Sequence, residues 1–134
     1  MILVDTNIII GFWRHPDENT AHIFATEDIA ICGVVKAEIL HGAHSLEDCK
    51  RILAALADFP CLDMRPADWE ILGRNLYLLR SHGITVPFQD AVIATMAISN
   101  HTRLWTIDKH FAMIKTMLPE LEIYGLSDRN SQNL

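Results

Sequence analysis

A chain of 134 residues, half of them hydrophobic, is too apolar to be disordered and long enough to bury one sizeable core, so it reads as a single domain over 1–134 with a structured part to about residue 125. No apolar run is long enough to cross a bilayer, and "MILVDTNIII" lacks the basic start and unbroken apolar stretch of a signal peptide. The net charge of −6 is a poor electrostatic footprint for bulk binding of nucleic acid, and three cysteines without a CxxC pair argue against a closed disulfide framework, so a cytoplasmic protein with reduced thiols and no membrane association is expected.

In chain order, residues 1–5 predict a short buried strand that runs straight into Asp5. "TNIIIGFWR" predicts a helix, and "HPDENTAHIFATED" a second one, with Pro16 near its start and acids in its first turn to suit the helix dipole. "IAIC" (29–32) is the next strand. "VVKAEILHGAHS" reads as a helix weakened at Gly42, and "LEDCKRILAALADF" shows apolar residues at helical spacing. "CLDM" is a candidate strand. "PADWEILGRNLYLLRSHG" opens on Pro66 and closes on Gly83, the polarity of helix punctuation. "PFQDAVIATMAISN" is a further helix, "RLWTI" (103–107) a strand, "DKHFAMIK" the start of a short helix and "LEIYGL" a candidate last strand. The tail "SDRNSQNL" is polar and expected to fray. Short apolar strands alternating with helices indicate an α/β fold with a mainly parallel sheet covered on both faces. Ligands of such sheets sit beyond the carboxyl ends of the strands, where Asp5, Thr106 and Asp108 fall.

Most of the 17 acids lie in polar company. Four do not. Asp5 follows Met-Ile-Leu-Val; Glu38 has Val34 and Val35 at its i−4 and i−3 positions and breaks an apolar helical stripe. Asp90 stands between "TVPFQ" and "AVIATMAI", and Asp108 follows "LWTI". Each has an ordinary explanation alone: Asp5 and Asp108 as helix caps, Asp90 as a first-turn acid, Glu38 as a partly exposed helical glutamate. Together they point to one cluster, because buried acids are rare unless paired or bound to metal. Clustered carboxylates repel one another, and a hard divalent cation relieves that. All-oxygen sites select Mg²⁺ or Mn²⁺ rather than zinc, and such ions at a phosphodiester do nuclease chemistry without a serine, cysteine or histidine nucleophile.

The blocks "MILVDTNIIIGF", "VVKAEILHGA", "PFQDAVIATMAI" and "LWTIDKHF" resemble, in order and approximate spacing, the four acidic blocks of PIN domains, and most closely those of VapC-type ribonuclease toxins. The resemblance runs from residue 1 to about 125; no block is specific alone, but the ordered set is. It implies a PIN-like α/β/α sandwich, Mg²⁺- or Mn²⁺-dependent endoribonuclease activity on tRNA or rRNA, and a homodimer held by a cognate VapB-type antitoxin. It matches Asp5, Glu38, Asp90 and Asp108 to the four catalytic, metal-binding acids, with Asp108 the least directly attached. Asn7 matches the polar residue of the first block and Thr106 the hydroxyl residue before the last acid, both expected to orient ligands or water. Many relatives carry Ser or Thr shortly before the glutamate; "CGVVKAE" has none, so no hydroxyl partner is assigned there.

Other features weigh less. Glu38, His41 and His44 step by three on one helix, but di-iron bundles need such a pattern on two. Cys49 and Cys61 read as core or near-core residues, Trp13 and Trp69 as packing, and Arg14, Lys36 and Lys109 as ordinary surface cations near the acidic blocks. Apolar residues of the first helices, Ile9, Phe12, Trp13 and Phe24 among them, exceed what a small core uses and are expected in part to line a groove for an amphipathic antitoxin segment. The alternatives are a flap-type or rRNA-processing PIN nuclease, and a PIN-like RNA-binding module with a vestigial acid cluster.

Overall fold

The central strand explains the uninterrupted apolar start of the chain. β1 (Ile2–Val4) is fully buried, with one neighbour on each side and helices over both faces. The computed structural model describes residues 1–125; the polar tail 127–134, expected to fray, lies outside the described residues. After β1 come α1 (Thr6–Arg14), α2 (Glu18–Thr26), β2 (Ile29–Cys32), α3 (Gly33–His41), α4 (Leu46–Leu56) and β3 (Cys61–Leu62). Then follow α5 (Pro66–Ser81), α6 (Phe88–Ser99), β4 (Arg103–Trp105), α7 (His110–Met117) and β5 (Glu122–Ile123). All four strand pairings are parallel, in the order β3-β2-β1-β4-β5. Among the described residues this is an α/β/α sandwich of five strands and seven helices.

The order places a switch point between β1 and β4. From β1 the chain winds outward through β2 to β3, then returns to the other side of β1 for β4 and β5. In open parallel sheets the crevice at the carboxyl ends of such a strand pair is where ligands bind. Val4 pairs with Trp105, so the next residues, Asp5 and Thr106, leave the sheet side by side.

Local sequence accounts for most element ends. Asp5 caps α1 by accepting from the Thr6 N–H at 2.8 Å. Asp17 caps α2 through Thr20 N–H at 2.8 Å, so Pro16 stands outside the helix rather than in its first turn. Ser45 accepts from Asp48 N–H and Asp48 from His44 N–H at the start of α4, a reciprocal box. Pro66 opens α5, where Asp68 accepts from Arg65 N–H at 2.8 Å. Gly83, at φ +75°, closes α5 in the left-handed conformation, with its N–H on Arg80 and that of Ile84 on Leu79.

α6 is the most enclosed helix: every residue from Asp90 to Ala97 is buried, and its alanines let it lie close to its neighbours. Ile9, expected as a candidate groove residue, is instead 1 % exposed and belongs to the core. The run Ile8-Ile9-Ile10 cannot all face one way on a helix, and the turn that buries Ile8 and Ile9 leaves Ile10 half-buried. Phe12 and Phe24 are half-buried and stack at 5.3 Å between centroids, in a chain of rings that continues to Phe59 and Trp105. Trp13 remains 41 % exposed.

Candidate active site

The end of β1 delivers Asp5, and the end of β4 delivers Thr106 and Asp108. Asp5 has two jobs. Its Oδ1 caps α1, while its Oδ2 accepts a 2.7 Å hydrogen bond from the Thr106 hydroxyl, 101 residues away. The same hydroxyl accepts from the Asp108 N–H at 3.0 Å, and Asp108 Oδ1 accepts from the His110 N–H at 2.9 Å, turning the chain into α7. His110 then reaches across the crevice: its Nδ1 is 2.9 Å from Asp90 Oδ2 and 3.3 Å from Asp108 Oδ1. A continuous polar chain thus runs Asp5–Thr106–Asp108–His110–Asp90 along the switch point.

Asp90 lies in the first turn of α6, but its recorded side-chain bond goes to His110 and not to its own helix N-terminus. Burial first, then the charge of Asp108, raise its pKa above the ordinary carboxylate value, with the His110 hydrogen bond pulling the other way. Asp5 is also raised, chiefly by burial and further by Asp90 and Asp108, against the hydrogen bonds of Thr106 and Thr6. Glu38 stands at the exposed rim of α3, beside buried Val35 and Ile39. Partial desolvation of its carboxyl, then Asp5 and Asp90, push its pKa up, which places it within electrostatic reach of both. His110 is raised by the Asp90 hydrogen bond and by Asp108.

Among the described residues, the group whose donor atoms all lie within 4.8 Å of one another is Asp90, Asp108 and His110. Asp5 and Glu38 do not join it at that distance. His110 is the residue that sequence reasoning passed over; its signal is the position two after the last acid in "TIDKHF", where a helix start turns it back toward the carboxylates. Asn7 is exposed one residue into the cap of α1. His41 and His44 are exposed and form no such group with Glu38. The three cysteines are free, Cys32 buried and the other two partly so.

The donor set fits a hard cation. It is mostly carboxylate oxygen, and its charges raise one another's pKa values. The PIN domain pattern matches residues 2–116. The chain belongs to the PIN domain family. Solved structures sharing this fold include chains of VapBC toxin–antitoxin complexes. A chain of VapBC2 from Rickettsia felis, bound to a DNA fragment from their promoter, is 26 % identical with a TM-score of 0.76, covering 92 % of this chain and 97 % of that one. A toxin–antitoxin complex from Klebsiella pneumoniae contains a chain 26 % identical, TM-score 0.68, covering 92 % and 100 %. VapC20 of Mycobacterium tuberculosis, a sarcin–ricin loop cleaving toxin, shares the fold alone at 14 % identity and TM-score 0.64, covering 84 % and 94 %. No curated protein matches the chain in sequence.

The raised pKa values give this PIN domain an unusual pH dependence without metal. A carboxyl that is raised in the fold binds its proton more tightly there than in the unfolded chain. Its charge therefore destabilises the fold above the folded pKa, and the penalty fades as pH falls toward the unfolded value near 4. In EDTA, melting temperature should rise on mild acidification from neutral pH, before the lowered carboxyls Asp17, Asp48 and Asp68 begin to lose their own contributions. Asp90→Asn should melt above wild type at neutral pH in EDTA, because it removes a buried charge whose pKa the fold raises. Millimolar Mg²⁺ should raise wild type more than the variant. Melts in which Asp90→Asn falls below wild type and Mg²⁺ moves neither protein would make Asp90 a structural acid.

Proposed function

We propose that the chain is the toxin of a VapBC-type pair: a single-domain endoribonuclease that hydrolyses RNA phosphodiesters with Mg²⁺ or Mn²⁺. The observation that carries the reading is the polar chain from Asp5 to Asp90 across the switch point of a PIN fold, with Glu38 at its rim. Asp5, Asp90 and Asp108 would hold the cation, with Glu38 completing the acidic ring. When bound, such an ion lowers the pKa of water and stabilises the charge that develops on the leaving oxygen.

This chain's own groups do the positioning. Thr106 fixes one oxygen of Asp5 and the backbone of Asp108 at once, so the two acids at the ends of adjacent strands move as a unit. Without a cation, burial and the neighbouring acids raise the pKa of Asp90 and of Glu38, and a bound divalent ion would favour their charged forms. Glu38, being at the rim, is the acid a substrate meets first. Asn7, exposed in the first turn of α1, would orient ligands or water at the site.

A VapB-type antitoxin belongs to the same reading, supported by the VapBC complexes that share the fold, and so does a homodimeric assembly. Action on cytoplasmic tRNA or rRNA is part of that reading; among the described residues no helix is long and apolar enough to cross a membrane. The test is induction of the chain in a bacterial host, sequencing of new RNA 5′ ends, and reproduction of the cuts by purified protein. We expect a few defined sites in structured RNA, cut with Mg²⁺ or Mn²⁺ and uncut in EDTA. Cuts that persist in EDTA, or no cuts with growth unimpaired, would remove the proposal. A short overlapping upstream gene for a small DNA-binding protein favours the toxin over a flap-type or RNA-processing nuclease.

A further inference from the structure

We infer that His110 is a nitrogen ligand of the candidate metal site and biases that site from Mg²⁺ toward Mn²⁺. The inference rests on the metal-dependent reading above and adds a donor that the acidic blocks do not supply. Its ground is geometric. Nδ1 of His110 lies 2.9 Å from Asp90 Oδ2 and 3.3 Å from Asp108 Oδ1, and one donor atom from each of the three residues falls within 4.8 Å of the others. Adjacent ligands of an octahedral ion with bonds of about 2.1 Å stand about 3 Å apart, so an ion that displaced the proton of the His110–Asp90 hydrogen bond would meet donor atoms at the spacing of neighbouring ligands.

The ring is held in place from its own backbone. The His110 N–H donates to Asp108 Oδ1 at 2.9 Å, so the histidine and one acid share a turn at the start of α7 and cannot drift apart. The side chain is 44 % exposed, which leaves an approach for an ion from solvent. The donor chemistry sets the preference. Mg²⁺ favours oxygen ligands and keeps its waters, whereas an imidazole nitrogen suits transition metals better. One nitrogen among carboxylates therefore favours Mn²⁺ without excluding Mg²⁺.

The test loads the full chain with Mn²⁺ alone and reads nitrogen coupling to the bound ion by pulsed electron paramagnetic resonance. Mg²⁺ is then titrated in to displace the Mn²⁺. Wild type should show directly bound ¹⁴N, converted to ¹⁵N in histidine-labelled protein. In His110→Gln the coupling should vanish, and the Mg²⁺ concentration that displaces half of the Mn²⁺ should fall about tenfold or more, as expected for loss of a ligand-level interaction. If the variant does not fold, the labelled wild type decides, because no other histidine joins the group among the described residues. Mn²⁺ that binds without nitrogen coupling overturns the ligand role of His110 and leaves the nuclease reading standing. Absence of any Mn²⁺ binding overturns both.

Discussion

Asp5→Asn and Asp90→Asn should each reduce RNA cleavage by on the order of 10³-fold, because a bound divalent ion contributes several kcal/mol of charge stabilisation and each 1.36 kcal/mol is tenfold in rate. The amide is the informative replacement. At position 5 it keeps an oxygen for the Thr6 N–H, so the cap of α1 survives while the charge is lost. Asp5→Ala removes the cap as well and should cost about 1 kcal/mol of stability on top of the activity. Thr106→Val belongs in the same assay: it cuts the link between Asp5 and Asp108 without touching a charge, and its loss should be smaller, about 10- to 100-fold. Cleavage by purified protein, measured with folded variants under saturating Mg²⁺, checks all three. Full activity in an Asp5→Asn/Asp90→Asn double variant would falsify the metal-site assignment.

The second large effect concerns the partner. A VapB-type antitoxin truncated to its DNA-binding half should lose inhibition altogether while still binding its operator. The structure narrows the expected groove. Ile9 is in the core and drops out, and Phe12 and Phe24 are largely spent on the ring stack with Phe59 and Trp105. Trp13 stays available: with Ile52 and Ala55 of α4 and the polar pair Asp48 and Arg51 it lines a shallow cavity of about 220 Å³. An amphipathic helix could seat one large apolar side chain there. Trp13→Ala should then weaken the complex by about 2 kcal/mol or more, as buried tryptophan anchors do, and leave cleavage of RNA unchanged. Titration calorimetry and the cleavage assay separate the two effects. Inhibition that survives truncation of the antitoxin, or a Trp13→Ala complex of wild-type affinity, counts against this arrangement.

Elements were more legible in the sequence than contacts. "TNIIIGFWR" and "IAIC" coincide with α1 and β2, because a cap, a periodic pattern or a continuous apolar run is local information. The acids out of place were legible for the same reason: burial of Asp5 and Asp90 follows from their neighbours. Glu38 shows the limit. Its valine neighbours at i−3 and i−4 said only that it borders the core, and it lies on the exposed side of that border. The bridging role of Thr106 depends on β4 inserting next to β1, and His110 meets Asp90 only because α6 and α7 pack together at that edge. No local spacing encodes either. Ile9 was misplaced because three consecutive isoleucines leave the buried face of a short helix undetermined.

The central position of β1 also sets a timetable. Asp5 is made 101 residues before Thr106, so β1 exists well before the partner strand that brings Thr106, Asp108 and His110 to its side. At roughly 5–20 residues per second, the hundred or so residues between them take about 5–20 s to translate. Until then β1 can pair on one side only, and the acidic edge does not exist. Until β4 is made, a nascent chain of the proposed nuclease lacks Thr106, Asp108 and His110 beside Asp5.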